Sequence, residues 1–119
     1  MPFDWEDFLE LSNILKDGDE AARRTAVSRA YYAAFGSVCC YAEVKLGFRP
    51  KESGEDHGRI RNCLNEAGEF KQANNLQTLR KYRGCCDYDK DTIVETRMDQ
   101  YVNVSLDLAA KVIKHFSTP

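Results

Sequence analysis

The run from Asp19 to Gly47 constrains the fold of this chain most, because almost every position in it suits one long, buried helix. Apolar residues recur every three or four positions in two neighbouring rows: Val27, Tyr31, Ala34, Val38 and Tyr41, and Ser28, Tyr32, Phe35, Cys39, Ala42 and Leu46. A third row carries the smaller side chains Ala26, Ala30, Ala33, Ser37, Cys40 and Val44. A helix that is apolar on so much of its circumference is packed by neighbours on several sides. The run therefore predicts the central helix of a bundle, roughly 40 Å long at ~1.5 Å per residue.

One polar strip remains on this predicted helix, formed by Arg29, Gly36 and Glu43 at intervals of seven residues. Gly36 and the adjacent Ser37 are small enough for another helix to approach closely. The sequence thus offers this position as an interface for a second copy or for a partner protein.

A shorter helix precedes the central one. Asp4 is placed to cap it, and Gly18 is placed to end it. Because Asp19 can cap the central helix immediately afterwards, the joint is too short for anything but an antiparallel pair. Three further helices are predicted after an exposed loop at 48–55: one from Glu55 or Asp56 to near Gly68, one from Phe70 to Tyr88 with a potential break at Asn74-Asn75, and one from the capping box of Thr92 and Glu95 to Ser117-Thr118-Pro119.

No strand-like alternation, internal repeat or low-complexity segment interrupts this pattern. The expected fold is all-α: an up-and-down bundle of four or five helices around one long central helix, in a single domain over 1–119. A chain of 119 residues can bury one core without metal or disulfide crosslinks. No segment approaches the length of a membrane span or looks like a leader, so we expect a cytoplasmic protein without membrane contact.

Charge and cysteine usage exclude some functions. A net charge of -2 gives no overall field that attracts polyanions, so nucleic-acid contact would have to be local. Arg80-Lys81-Tyr82-Arg83 is the best such segment, although the same run also suits a solvated helix face.

The five cysteines contain no C-x-x-C pair, and adjacent cysteines on a helix point apart. We interpret them as small buried side chains in a reducing compartment, and expect neither a metal site nor a cofactor.

The signatures of phosphate-binding loops, zinc proteases and serine hydrolases are absent, which leaves two histidines as candidates for acid–base chemistry. His115 lies at the end of the last predicted helix, where a charged imidazole complements the helix dipole. His57 opens the third helix on the same side as Ile60 and Leu64, so its ring faces the core. It suits either a hydrogen-bonded structural histidine or a catalytic base.

Arg83 stands out because it lies in line with Leu76, Leu79 and Cys86 on the fourth helix. An unpaired charge in an apolar seam is costly, and Asp87, one turn later, could pair with it. If this helix packs against the central one, a polar cluster forms from Ser28, Arg29, Tyr32, Arg83, Asp87 and Tyr88. Such a cluster is either a network that locks the fold or a site that binds phosphate or a nucleotide.

The segment Ser28-Arg29-Ala30-Tyr31-Tyr32-Ala33-Ala34-Phe35 resembles the S-R-x-Y-Y-A-x-[FY] motif on the long helix of the HEPN family, named for higher eukaryotes and prokaryotes and for nucleotide binding. Leu76-x-x-Leu79-x-x-x-Arg83 with Asp87-Tyr88, and His57 with the apolar spacing after it, resemble the later helices. The resemblance covers nearly the whole chain.

This resemblance implies a helical bundle that is usually a homodimer and is often encoded beside a small nucleotidyltransferase in toxin–antitoxin or defence operons. Many members are metal-independent ribonucleases with an Arg-(four to six residues)-His motif. The arginine stabilises the charged phosphorane, and the histidine acts as acid or base toward the 2′-hydroxyl.

The present sequence departs from the motif at the histidine. Tyr88 follows Arg83 after four residues, and no histidine lies within reach. A tyrosine has a pKa of about 10 and is therefore a poor base at neutral pH. The leading hypothesis is therefore a HEPN-like dimer that binds nucleotide or RNA phosphate through Arg83, Arg29 and Tyr88 without efficient catalysis. A second hypothesis is a toxin ribonuclease in which His57 and Arg83 are catalytic, and a third is an interaction module for a nucleotidyltransferase partner.

Overall fold

Five helices account for the regular structure in the computed structural model, which describes residues 2–117. They are α1 (Glu6–Leu15), α2 (Glu20–Lys45), α3 (Asp56–Glu66), α4 (Phe70–Tyr88) and α5 (Glu95–Ser117). The predicted all-α fold around one long helix is confirmed, and no strand occurs among the described residues. The fourth helix has the predicted bounds and is continuous through Asn74 and Asn75. The predicted end of the last helix at Thr118 and Pro119 lies outside the described residues.

Helix α2 is the centre of the bundle, because each of the other four helices packs against it. Its residues Ala26, Val27, Ala30, Ala33, Ala34, Val38 and Ala42 have no exposed surface. The expectation that the whole third row is buried was wrong at Cys40, which is exposed, and at Val44, which is 79% exposed. These two residues border an open apolar groove between the N-terminal segment and the end of α5. The bundle thus leaves the last turns of α2 partly uncovered.

The cysteines are less uniformly buried than the sequence suggested. Only Cys86 is buried, whereas Cys39, Cys63 and Cys85 are half-buried and Cys40 is exposed. Burial raises the pKa of the Cys86 thiol to about 12. Phe48 also differs from the prediction. It was expected in an exposed loop, but it is only 6% exposed and packs in the hydrophobic core.

The joint between α1 and α2 has the predicted geometry. The Asp19 carboxylate accepts a hydrogen bond from the Ala22 amide at 2.8 Å, which caps α2. Ser12 donates to the Ala26 carbonyl oxygen at 2.7 Å, and Trp5 at the opposite end of α1 covers Gly36, so the two helices are antiparallel. Gly36 was expected to face a second copy or a partner. The indole of Trp5 fills that position instead, because a glycine is the only residue that lets the ring lie directly on the α2 backbone.

The capping box predicted at Thr92 and Glu95 does not form, since α5 begins at Glu95 rather than directly after Thr92. Tertiary contacts decide the local structure here. Ile93 is buried against Val27, and its amide donates to the Glu20 carboxylate at 3.3 Å. Glu95 is instead 2.8 Å from the Arg23 guanidinium, in an ion pair with α2.

Arg24 fixes the end of α4 to α2. Its guanidinium donates to the carbonyl oxygens of Cys86 at 3.2 Å, Asp89 at 2.8 Å and Asp91 at 2.6 Å. These carbonyls lie at or beyond the last turn of α4, where helix carbonyls lack partners within the helix. The C-terminal turn of α4, which carries Asp87 and Tyr88, is therefore held in one position relative to α2.

Candidate functional site

The Arg83 side chain lies between α4 and α2 and is only 12% exposed. Its Cζ atom is 5.5 Å from the ring centre of Tyr31 and 5.6 Å from that of Tyr32, which is cation–π distance. Its Nη1 donates to Asp87 Oδ2 at 3.3 Å, and its buried Nε atom has no hydrogen-bond partner. The sequence prediction for Arg83 is thus confirmed in its geometry: the charge lies in an apolar seam and pairs with Asp87.

Three of the other predicted site residues meet Arg83 from the α2 side. Ser28 donates to Asp87 Oδ2 at 3.3 Å, and the Arg29 guanidinium lies 3.4 Å from the Ser28 hydroxyl. Arg29 also lies 5.0 Å from the ring centre of Tyr32. Because Arg83 contacts that same ring, Tyr32 is shared by the two guanidinium groups.

Tyr88 lies at the edge of this cluster. It is the last residue of α4, it is 73% exposed, and its ring centre is 5.9 Å from the Arg83 Cζ atom. The exposed face of its ring is free of the core, so an incoming planar group could stack on it. The structure therefore brings all six predicted binding residues together at the α2–α4 contact.

His57 reaches the same cluster from α3. The Tyr31 hydroxyl and His57 Nδ1 form a hydrogen bond, and the imidazole stacks on the ring of Phe35 with 4.6 Å between centres. The ring centre of Tyr32 lies 6.2 Å away. His57 and Arg83 thus contact the same two tyrosines, Tyr31 and Tyr32, even though 25 residues of sequence separate them.

The electrostatic surroundings of His57 are cationic. Burial, together with the guanidinium groups of Arg80, Arg83 and Arg61, lowers the pKa of His57 from its ordinary value of 6.5. The imidazole is therefore neutral at pH 7.

A cavity of about 350 Å³ opens beside this cluster and is lined by Arg61, Gln77, Arg80, Lys81, Arg83 and Gly84. Four of these six residues are cationic, and none is acidic. Among residues 2–117, no carboxylate forms an ion pair with Arg61, Arg80 or Lys81, although Arg61 donates to the His57 carbonyl oxygen at 3.1 Å. The segment from Arg80 to Arg83, which the sequence offered as the best local candidate for nucleic-acid contact, thus supplies three of the four cations at this cavity.

Sequence reasoning missed Arg61 and the role of Tyr31. Arg61 lies one turn after His57 on α3, but only the packing of α3 against α4 brings it to the cavity. Tyr31 was assigned to the core, where it does lie with 1% exposure, and nothing in the spacing indicated that its hydroxyl would meet His57.

Asp56 organises the loop that leads into His57. Its carboxylate accepts hydrogen bonds from the Lys51 and Glu52 amides at 3.0 and 2.9 Å, and from the Arg59 guanidinium at 2.6 Å. The Lys51 amide is the main reason that the pKa of Asp56 is lowered, with Arg59 adding to the effect. The first turn of α3 is thus rigidly connected to the preceding loop.

His115 does not belong to the site. It lies in the last turn of α5, as expected, and its Nε2 atom is 2.8 Å from a carboxylate oxygen of Glu69. This contact connects the end of α5 to the start of α4. A second cavity of about 490 Å³, the apolar groove beside Val44, also contains none of the predicted site residues.

The cluster can hold an anion by charge and hydrogen bonding, and it offers one neutral imidazole. The part of the chain that the structure describes contains no group of three or more His, Cys, Asp or Glu side chains arranged to hold a metal ion. It likewise contains no helix long and apolar enough to cross a membrane. No protein-family model, curated protein or solved structure matches the chain.

Proposed function

We propose that this protein binds the phosphate group of a nucleotide or of RNA in the cavity between α3 and α4, without efficient catalysis. The observation that carries the proposal is the convergence of Arg61, Arg80, Lys81 and Arg83 on one cavity with no acidic residue in its lining. Cations that share a cavity repel one another, and a phosphate placed among them removes that repulsion.

The residue types favour phosphate over other anions. Arginine presents a planar array of donors that matches two phosphate oxygens at once, and the cavity has three arginines. Arg83 is held in place by the tyrosine rings and by Asp87, so little side-chain entropy is lost when it binds. Arg29 and the exposed ring of Tyr88 extend the site toward a second phosphate or a base.

We also propose that the protein is a HEPN-type homodimer from a toxin–antitoxin or defence context. The support is that Ser28, Arg29 and Tyr32, which belong to the segment resembling the family's long-helix motif, lie around Arg83 and Asp87. A polar cluster that only stabilised the fold would not explain why Arg61, Arg80 and Lys81, which have no carboxylate partner, line the neighbouring cavity.

The experiment is a titration of the protein with ATP and with a short oligouridylate RNA over a range of salt concentrations. The double variant R80Q/K81Q should bind either ligand at least tenfold more weakly. For RNA, it should lower the slope of log K against log salt by about 1.4, since each single-strand phosphate contact contributes about 0.7. The matched control is K45Q/R97Q, which removes one lysine and one arginine that are exposed and lie outside the cavity. Equal binding by the two double variants would refute the proposed site.

A second candidate function is a metal-independent endoribonuclease, favoured by the contact of both His57 and Arg83 with Tyr31 and Tyr32. Incubation of the purified protein with total RNA in EDTA tests it, because this chemistry needs no metal. Cleavage that disappears in H57A would establish the activity. Intact RNA beside an active metal-independent ribonuclease as positive control would exclude it.

A further inference from the structure

Tyr31 and His57 form a buried pair that the proposed phosphate site does not by itself require. Tyr31 belongs to the central helix α2 and is 1% exposed, and its hydroxyl has His57 Nδ1 as its only hydrogen-bond partner among the described residues. The two rings are stacked, with 5.5 Å between centres and an interplanar angle of 28°. Phe35 stacks on the imidazole as well, so the ring has little freedom to rotate.

The direction of the proton in this hydrogen bond follows from burial. A hydroxyl can donate or accept, but a buried O–H group needs an acceptor. If Nδ1 carried the imidazole proton, it would donate to Tyr31, and the phenol proton would have no acceptor. Burial also raises the pKa of Tyr31, so the phenol keeps its proton. Tyr31 therefore donates to Nδ1, and the imidazole proton is on Nε2.

The charged and titratable groups around His57 keep the ring neutral. Tyr31 and Tyr32 face it from α2, Asp56 and Arg61 from α3, and Arg80 and Arg83 from α4. The one carboxylate in this set, Asp56, is occupied by Arg59 and two backbone amides, whereas the three arginines all disfavour an imidazolium.

We propose that Tyr31 is a positioning residue that holds His57 in the neutral Nε2–H form, so that His57 donates a hydrogen bond to a phosphate oxygen of the bound ligand. His57 itself does not line the cavity, but Arg61, Arg80 and Arg83, which do, lie around its imidazole, and Nε2 has no hydrogen-bond partner among the described residues. The hydrogen bond from His57 to the ligand rests on the proposed function, whereas the tautomer of His57 does not. In this form Nε2 has no free lone pair, so it cannot take the proton from a 2′-hydroxyl.

The first experiment is ¹⁵N NMR of the imidazole nitrogens in the free protein at several pH values. His57 is identified by the loss of its signals in H57Q, and His115 serves as the internal reference. At pH 7 we expect one protonated nitrogen, Nε2, and one unprotonated nitrogen, Nδ1. Y31F keeps the stacked ring but removes the donor to Nδ1, so it should give a mixture of tautomers and raise the pKa of His57 toward its ordinary value. A proton on Nδ1 in the wild type, or an unchanged spectrum in Y31F, would overturn the proposal.

The second experiment measures affinity for ATP and oligouridylate RNA in the same variants. H57Q retains an N–H donor and should bind within about threefold of wild type, whereas H57F and Y31F should each bind roughly three- to tenfold more weakly. Equal affinity in H57F and wild type would refute the hydrogen bond to the ligand. If the wild type binds neither ligand, the proposed function fails, and the NMR result alone decides the tautomer.

Discussion

Replacing Arg83 with alanine is expected to weaken the binding of ATP and RNA by roughly 30- to 700-fold, or about 2–4 kcal/mol. The variant removes the one cation that belongs both to the cavity and to the contact between α2 and α4. It also leaves the Asp87 carboxylate without its guanidinium partner, so a negative charge at the edge of the site then faces the phosphate. Both effects weaken the binding of the phosphate.

The measurement is ligand titration by fluorescence or calorimetry, with circular dichroism to check that the variant remains helical. R83K is the informative companion, because it keeps the charge and loses the planar array of donors. It should recover only part of the affinity. The double variant R83A/D87A should bind more tightly than R83A, since it no longer contains the unpaired carboxylate. Wild-type affinity in a folded R83A protein would remove the hypothesis that this cluster binds phosphate.

Replacing Gly36 with alanine is expected to destabilise the protein by about 1–3 kcal/mol, because a Cβ atom at this position would overlap the indole of Trp5. Glycine to alanine in the middle of a helix normally stabilises a protein by roughly 0.5–1 kcal/mol. The packing of α1 on α2 therefore makes this glycine-to-alanine change destabilising instead of stabilising. The aromatic cluster of Phe3, Trp5 and Phe8 would have to shift as a unit to make room.

A double-mutant cycle with W5A and urea unfolding tests the cause. In a W5A background the indole atoms that would overlap the added methyl group are absent, so G36A should cost little or become stabilising. G84A is the matched control, since Gly84 is also in a helix but nothing lies near its Cβ position, and this change should stabilise the protein slightly. A stabilising G36A in the wild-type background would mean that Trp5 does not hold α1 against α2. Position 36 would then be open to a second copy or a partner again.

Much of the candidate site could be anticipated from spacing alone. Arg83 falls in register with Leu76, Leu79 and Cys86, and a charge in such a register must find a partner on the next turn or on a neighbouring helix. Asp87 is that partner, and Ser28 on α2 in turn donates a hydrogen bond to the Asp87 carboxylate. The two apolar rows on α2 predicted that other helices cover it, whereas the contact of α4 with the side that carries Ser28 and Tyr32 was only a condition of the prediction, and the structure supplied it.

The same spacing could not reveal the cavity or the histidine pair. Arg61 and Arg80 are on different helices, and their approach depends on how α3 packs on α4 across an irregular loop. His57 and Tyr31 are 26 residues apart, and the loop between them, with Phe48 turned into the core, determines where the imidazole lies. Local periodicity carries no information about such a turn of the chain.

By itself, the sequence determined the five helices, the central position of α2 and the buried arginine, because helix periodicity and the cost of an unpaired charge act over a few residues. Only the tertiary structure decided which surfaces meet. It placed Trp5 on Gly36, moved the start of α5 past the Thr92 capping box by burying Ile93, and gathered four cations around one cavity. These outcomes depend on packing between helices that are far apart in the chain, where the gain from burial exceeds any local preference.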